Sequence, residues 1–141
     1  MLKRISKEEL KKRFDHYNQM CFGGKLGKCQ FKYIHSRDSS YGMFSANTDK
    51  QGKTHCSIWI QAFNDTSDDF INGVLLHEMI HMYIYTIEHN KGHGLFGHGP
   101  RFKWHRKRLW TDYGLKVNMD NPYKTRWTEK LWHWLIYTVG I

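Results

Sequence analysis

Cysteine and proline are scarce in this 141-residue chain, and each shortage excludes a class of protein. The three cysteines form no CxxC pair, which argues against a disulfide framework and against a cysteine-rich zinc ribbon. The two prolines leave no Pro-rich linker. No long apolar run is present, and the mean hydropathy of −0.71 is too low for a membrane span.

The first residues also lack the apolar segment of a secretory signal. We therefore expect an intracellular protein, cytoplasmic or nucleoid-associated, that is not secreted and has no membrane partner. The length favours a single domain over residues 1–141, with no C-terminal zinc ribbon. Hydrophobic residues at 40% and aromatic residues at 16% are enough for a packed core.

Acidic residues are the minority among the charged side chains. The chain has 13 Asp and Glu against 22 Lys and Arg, a net charge of +9. Both ends carry the excess, because residues 1–32 and 100–141 each hold nine basic and three acidic side chains. A basic surface of this size attracts polyanions, nucleic acid first among them, although many basic domains bind none.

The hydrophobic periodicity predicts three helices and three strands. The predicted helices cover residues 7–21, 67–89 and 100–113. The predicted strands cover residues 31–35, 41–46 and 54–60. Turn residues between the last two strands make them a hairpin. The second helix is apolar on nearly every side, which is typical of a buried helix.

Residues 77–81 of this buried helix follow the HExxH pattern. His77 and His81 lie four residues apart, so both imidazoles point the same way and can bind one zinc ion. Glu78 is placed to accept a proton from an attacking water. Burying such groups without partners costs about 1–3 kcal/mol each, and a metal ion removes that cost. The alternative is that they satisfy one another or backbone carbonyls in the core.

Gly73 lies one turn before His77 on the same stripe of the helix. Glycine costs about 1 kcal/mol relative to alanine inside a helix. Its presence predicts the close approach of another backbone, of substrate, or of a neighbouring helix.

A catalytic zinc ion needs a third protein ligand. His89 is too far along the helix from His81 to supply it. His98 is favoured, because a Gly-rich loop lets the chain turn back and a helix start directly follows. His93 has a similar Gly-His-Gly setting and is the rival. The full set of candidates is His93, His98, His105 and Asp112.

Three stretches in order resemble the SprT-like family of metallopeptidases. Residues 17–26 resemble its "N…FGGKL" start, residues 76–81 its active-site helix, and residues 97–102 its "GHGP.F" segment. The resemblance covers most of residues 7–113. It implies a zincin-like α+β domain with helices packed on a small, mostly antiparallel sheet.

The resemblance also implies the site and the activity. His98, rather than His93, would join His77 and His81 on one zinc ion, and Glu78 would be catalytic. The protein would be a zinc endopeptidase acting on DNA-associated proteins. An edge strand would bind the protein substrate through the run Tyr41, Gly42, Met43 and Phe44.

DNA, with single strands favoured, would contact the basic helix that follows His98, where aromatic residues alternate with charge. The candidate contacts there are Arg101, Lys103, Arg106, Lys107 and Arg108.

The alternative function is a non-catalytic, zinc-stabilised module that binds nucleic acid or protein. The aromatic stretch 127–141 has no counterpart in the family pattern, and we expect it to cap the core rather than to form a partner surface.

Overall fold

The computed structural model describes residues 3–35, 41–90 and 98–118. The predicted aromatic stretch at 127–141 and the rival ligand His93 lie outside these residues. Three helices and three strands follow one another along the described chain, and the α+β class is confirmed. Their order is α1 (Lys7–Cys21), β1 (Cys29–Tyr33), β2 (Gly42–Thr48), β3 (Thr54–Ile60), α2 (Asp68–Thr86) and α3 (Pro100–Tyr113).

Local signals in the sequence fix the ends of the helices. The Ser6 hydroxyl accepts a hydrogen bond from the backbone N–H of Glu9, and Ser67 does the same for Phe70. Gly114 ends α3 with φ at 67°, a left-handed conformation that favours glycine. The helix bounds therefore lie within about one turn of those predicted from the sequence.

The sheet is small and mixed rather than mostly antiparallel. Its strand order is β1-β3-β2, with β2 and β3 forming the predicted antiparallel hairpin. Strand β3 returns between the two earlier strands and runs parallel to β1. Among the described residues, β2 is therefore an edge strand with no neighbour on its outer side.

Helix α2 is the centre of the core. It packs against β2 and β3 on one side and against α1 and α3 on the others. Leu75, Met79 and Ile80 of this helix and Ile58 of β3 are completely buried. None of the helices in the described ranges is long and apolar enough to cross a membrane.

Candidate metal centre

Three imidazoles converge beside the middle of α2. His77 and His81 lie one turn apart on that helix, and His98 precedes Pro100, the first residue of α3. The Nε2 atom of His77 lies 3.2 Å from that of His81 and 3.1 Å from that of His98. One ligand atom from each of the three residues fits within 4.8 Å of the other two.

The hydrogen bond of His77 fixes which ring nitrogen faces the other imidazoles. The Nδ1 atom of His77 lies 2.7 Å from the backbone oxygen of Asn118. A carbonyl only accepts, so Nδ1 carries the proton and Nε2 presents its lone pair. Burial, together with the nearby His98, lowers the pKa of His77 to about 3. The imidazole is therefore neutral at physiological pH, as a metal ligand must be.

The donor set fits a zinc ion. Tetrahedral zinc with Zn–N bonds of about 2.0–2.1 Å places its ligand nitrogens about 3.3–3.4 Å apart. The 3.1 and 3.2 Å separations of the Nε2 atoms are close to that spacing. Three histidines also leave one tetrahedral position open, which is typical of catalytic rather than structural zinc sites.

Phe102 packs against all three imidazoles, a role that was not predicted from the sequence. Its ring centroid lies 4.8 Å from those of His77 and His81 and 4.7 Å from that of His98. The side chain is completely buried in the first turn of α3. The signal available in the sequence was its position four residues after His98 in the "GHGP.F" segment.

Glu78 is buried next to the possible metal ligands. Its side chain belongs to α2, and burial raises the pKa of its carboxyl group to about 8. Gly42 of β2 lies directly against it, because a Cβ atom added there would come within 2.8 Å of Glu78 Oε2. The carboxylate therefore lies between the histidine-bearing helix and the edge strand.

Gly73 admits another backbone, one of the three explanations that the sequence left open. A Cβ atom at Gly73 would lie 3.0 Å from the backbone oxygen of Lys116 and 3.3 Å from the backbone nitrogen of Asn118. The N–H of Asn118 donates to the carbonyl of Gly73 at 3.1 Å. Asn118 thus packs on Gly73 and accepts a hydrogen bond from His77.

The remaining histidine candidate of α3 lies apart from the imidazole group. His105 is 1% exposed, and its Nε2 atom lies 2.7 Å from Glu88 Oε2. Asp112 is exposed near the end of the same helix. Neither residue joins the group of possible metal ligands.

The basic residues of α3 do not share one environment. Lys107 is exposed and Lys103 is half-buried, while Arg101 and Arg108 bond Glu88 and His105. Arg106 is only 2% exposed. Its prediction as a nucleic-acid contact is wrong, because it shares the inward stripe of α3 with Phe102 and Leu109 rather than the solvent face.

One helix packed on a small sheet supplies two of the three histidines, and the third comes from the start of the next helix. This arrangement is the one that defines zincin-like metallopeptidase domains. The chain belongs to the SprT-like family, whose sequence model matches residues 10–121. It is also similar to the DNA-dependent metalloprotease dvc-1 of Caenorhabditis elegans, at 27% identity over 125 residues. That similarity covers 86% of this chain and 33% of the relative, so the chain spans about a third of the relative's length.

Replacing Gly73 by alanine tests whether the packing of residues 116–118 orients His77. The new methyl group should push this backbone away and weaken the bond from His77 Nδ1 to the Asn118 carbonyl. Loss of such a partner typically weakens metal binding by about 10- to 100-fold. We expect Gly73→Ala to bind zinc about tenfold more weakly, as measured by competition with a chromophoric zinc chelator.

Gly27→Ala is the matched control, because a Cβ atom at Gly27 meets nothing within 4 Å among the described residues. Its zinc affinity should equal that of the unmodified chain. An unchanged affinity for Gly73→Ala would contradict the orienting role of this segment.

Proposed function

We propose that the protein is a zinc-dependent endopeptidase that acts on DNA-associated proteins. The observation that carries this proposal is that three imidazoles converge on the same helix turn as a buried carboxyl group, Glu78, which lies against an edge strand. His77, His81 and His98 would hold one zinc ion. Bound there, zinc would polarise the scissile carbonyl and make the attacking water more acidic.

Glu78 supplies the acid–base chemistry in this proposal. It follows His77 on α2, and burial raises the pKa of its carboxyl group to about 8. The positive charge of a zinc ion bound beside it would favour the carboxylate form, which can accept a proton and release it again within one catalytic cycle. Glu78 would take the proton of the attacking water and pass it to the leaving amine.

Strand β2 is the proposed binding site for the substrate backbone. The N–H of Gln61 donates to the carbonyl of Tyr41, which fixes the alternation of bonded and non-bonded pairs along the hairpin. By that alternation, the backbone groups of Gly42 and Phe44 point away from β3. They can pair with an added strand, which would run beside Glu78.

The side chains of β2 show how the strand that would bind substrate is held against α2. The Phe44 ring packs edge-on against Tyr85 of α2 at 5.8 Å, so this face of the strand is turned toward the helix. Met43 is 46% exposed on the opposite face. Tyr41, next to Gly42, packs edge-on against Phe70 at 4.9 Å, which anchors the start of the strand on α2.

DNA is the proposed partner, on the basis of the net charge of +9 and of the relative's description as DNA-dependent. Lys103, Lys107 and Trp110 lie on one stripe of α3, at spacings of four and three residues. Trp110 is 46% exposed. Basic side chains that contact phosphates, followed by an aromatic ring on which a base can stack, suit single-stranded DNA.

Trp104 is a second candidate for base stacking. The guanidinium carbon of Arg101 lies 4.4 Å from the centroid of its ring, so one face of the indole already has a cation on it. Arg101 is itself bonded to Glu88 through two nitrogens. We therefore place the phosphate contacts on Lys103 and Lys107, with Arg101 and Arg108 serving other roles.

The protein would act where DNA and its bound proteins are found, in the cytoplasm or nucleoid of a cell. A single catalytic domain over residues 1–141 stays a prediction.

Glu78→Gln separates metal binding from catalysis. The amide keeps the shape of the side chain but cannot accept a proton, so zinc content should stay at one ion per chain while proteolysis falls below detection.

His98→Ala should instead lose zinc in elemental analysis, with His93→Ala, its rival from the sequence, as the control. Proteolysis retained by Glu78→Gln, or zinc retained by His98→Ala and lost by His93→Ala, would refute these assignments.

Phe44→Pro tests whether substrate pairs with the outer edge of β2, because it removes one N–H that points outward from that strand. Proline is tolerated on an edge strand when that N–H faces away from the sheet. Losing one hydrogen bond of about 0.5–1.5 kcal/mol should raise the KM for a peptide about two- to tenfold. Phe44→Ala controls for the lost ring, and equal KM values for the two variants would argue against strand addition.

The dependence of DNA binding on salt tests the lysine stripe. For single-stranded DNA the slope of log affinity against log salt changes by about 0.7 for each phosphate that the protein no longer neutralises. We expect the double variant Lys103→Ala, Lys107→Ala to flatten the slope by up to about 1.4 units in fluorescence anisotropy. Lys11→Ala, Lys12→Ala removes the same charge from exposed positions of α1 and should flatten it less.

Equal slopes for the two double variants would show that net charge alone attracts DNA. A slope near zero for the unmodified chain would remove DNA as a partner.

A further inference from the structure

One carboxylate joins the two helices that supply the imidazoles. Glu88 lies two residues beyond the end of α2. Its Oε1 atom accepts from Arg101 Nε at 3.0 Å, and its Oε2 atom accepts from Arg101 Nη2 at 2.8 Å. This is a two-pronged guanidinium–carboxylate pair, the geometry that best restrains orientation as well as distance.

A second bond from α3 reaches the same carboxylate. His105 Nε2 lies 2.7 Å from Glu88 Oε2, and Arg108 Nε donates to His105 Nδ1 at 3.0 Å. Because Nδ1 accepts from Arg108, the neutral imidazole carries its proton on Nε2 and donates it to Glu88. The network is therefore satisfied without a charge on His105, which is 1% exposed.

The position of this network in the chain links it to the imidazole group. Glu88 and Arg101 stand on either side of residues 89–98, the connection that ends in His98. Arg101 lies in the first turn of α3, three residues after His98. A bond between the two ends of a connection lowers the conformational entropy that ligand binding must otherwise remove.

We infer that Glu88 is a positioning residue for the third metal ligand, holding the start of α3 against the end of α2 so that His98 meets His77 and His81. This inference rests on the metal centre of the proposed function. Phe102 packs against the imidazoles from within the core, and Glu88 restrains the same turn of α3 through Arg101. Neither Glu88 nor Arg101 belongs to the group of possible metal ligands.

The test is zinc affinity, read without any protease assay. Glu88→Gln and Arg101→Gln each break the two-pronged pair, and competition with a chromophoric chelator should show zinc binding weakened by about three- to tenfold, the scale expected for loss of a partly exposed ion pair. Because both changes remove one interaction, the double variant should bind zinc no more weakly than the weaker single variant. In the cobalt-loaded protein, Glu88→Gln should also lose intensity in the visible bands that report tetrahedral geometry.

Asp68→Asn is the matched control. Asp68 also accepts from an arginine of another helix, with Arg13 Nη2 at 2.9 Å, but at the opposite end of α2. Its zinc affinity and cobalt spectrum should match those of the unmodified chain. Unfolding of the metal-free proteins shows whether the variants differ in general stability.

The outcomes separate the two proposals. Unchanged zinc affinity in Glu88→Gln, or an equal loss in Asp68→Asn, would overturn the positioning role and leave the metal centre in place. An unmodified chain that binds no zinc would overturn both. If Glu88→Gln does not fold, Arg101→Gln, which keeps the bond from His105 to Glu88, decides the question by the same measurement.

Discussion

The polar side chains in the middle of a buried helix govern the structure around them. Helix α2 packs its apolar residues against the sheet and both other helices, yet it also carries His77, Glu78 and His81. Glu78 is buried and the two imidazoles are half-buried. A buried polar group without a partner costs about 1–3 kcal/mol, so neighbouring elements must supply partners wherever water does not. The carbonyl of Asn118 serves His77, and His98 brings a third imidazole to the pair. A metal ion would give all three Nε2 lone pairs one common partner.

Two glycines let backbone come close to this helix. Gly42 allows the edge strand to lie against Glu78, and Gly73 allows residues 116–118 to lie against the turn before His77. A side chain at Gly42 would displace the Val74 and Glu78 side chains that lie against it, and a side chain at Gly73 would push away the backbone of residues 116–118. The position of the proposed acid–base group and the orientation of the first ligand therefore both depend on glycines.

Features that depend on residues close together in the chain could be predicted from the sequence. Capping residues, a four-residue repeat of apolar positions and Gly114 set the helix bounds, and the i, i+4 spacing placed His77 and His81 on one side of α2. The third imidazole lies 21 residues from His77, across a connection that no periodicity describes, so spacing left His93 and His98 open. Only resemblance to a family separated them.

Two further features depended on tertiary packing. The sequence marked Gly73 as unusual but could not show which of three neighbours approached it, because that contact is made by a segment more than 40 residues away. Arg106 counted as surface charge because arginine is rarely buried, although its place on one stripe with Phe102 and Leu109 indicated an inward direction. The mixed sheet likewise depends on β3 returning between β1 and β2, which strand patterns alone do not reveal.

The central claim is that His77, His81 and His98 hold one zinc ion with an open fourth position. X-ray absorption at the zinc edge of the purified, zinc-loaded protein tests it most directly. We predict a first shell of three nitrogens at about 2.0–2.1 Å with one oxygen and no sulfur. A sulfur at about 2.3 Å would assign the metal to a cysteine instead, and a six-oxygen shell would show adventitious binding, so either result would contradict the account.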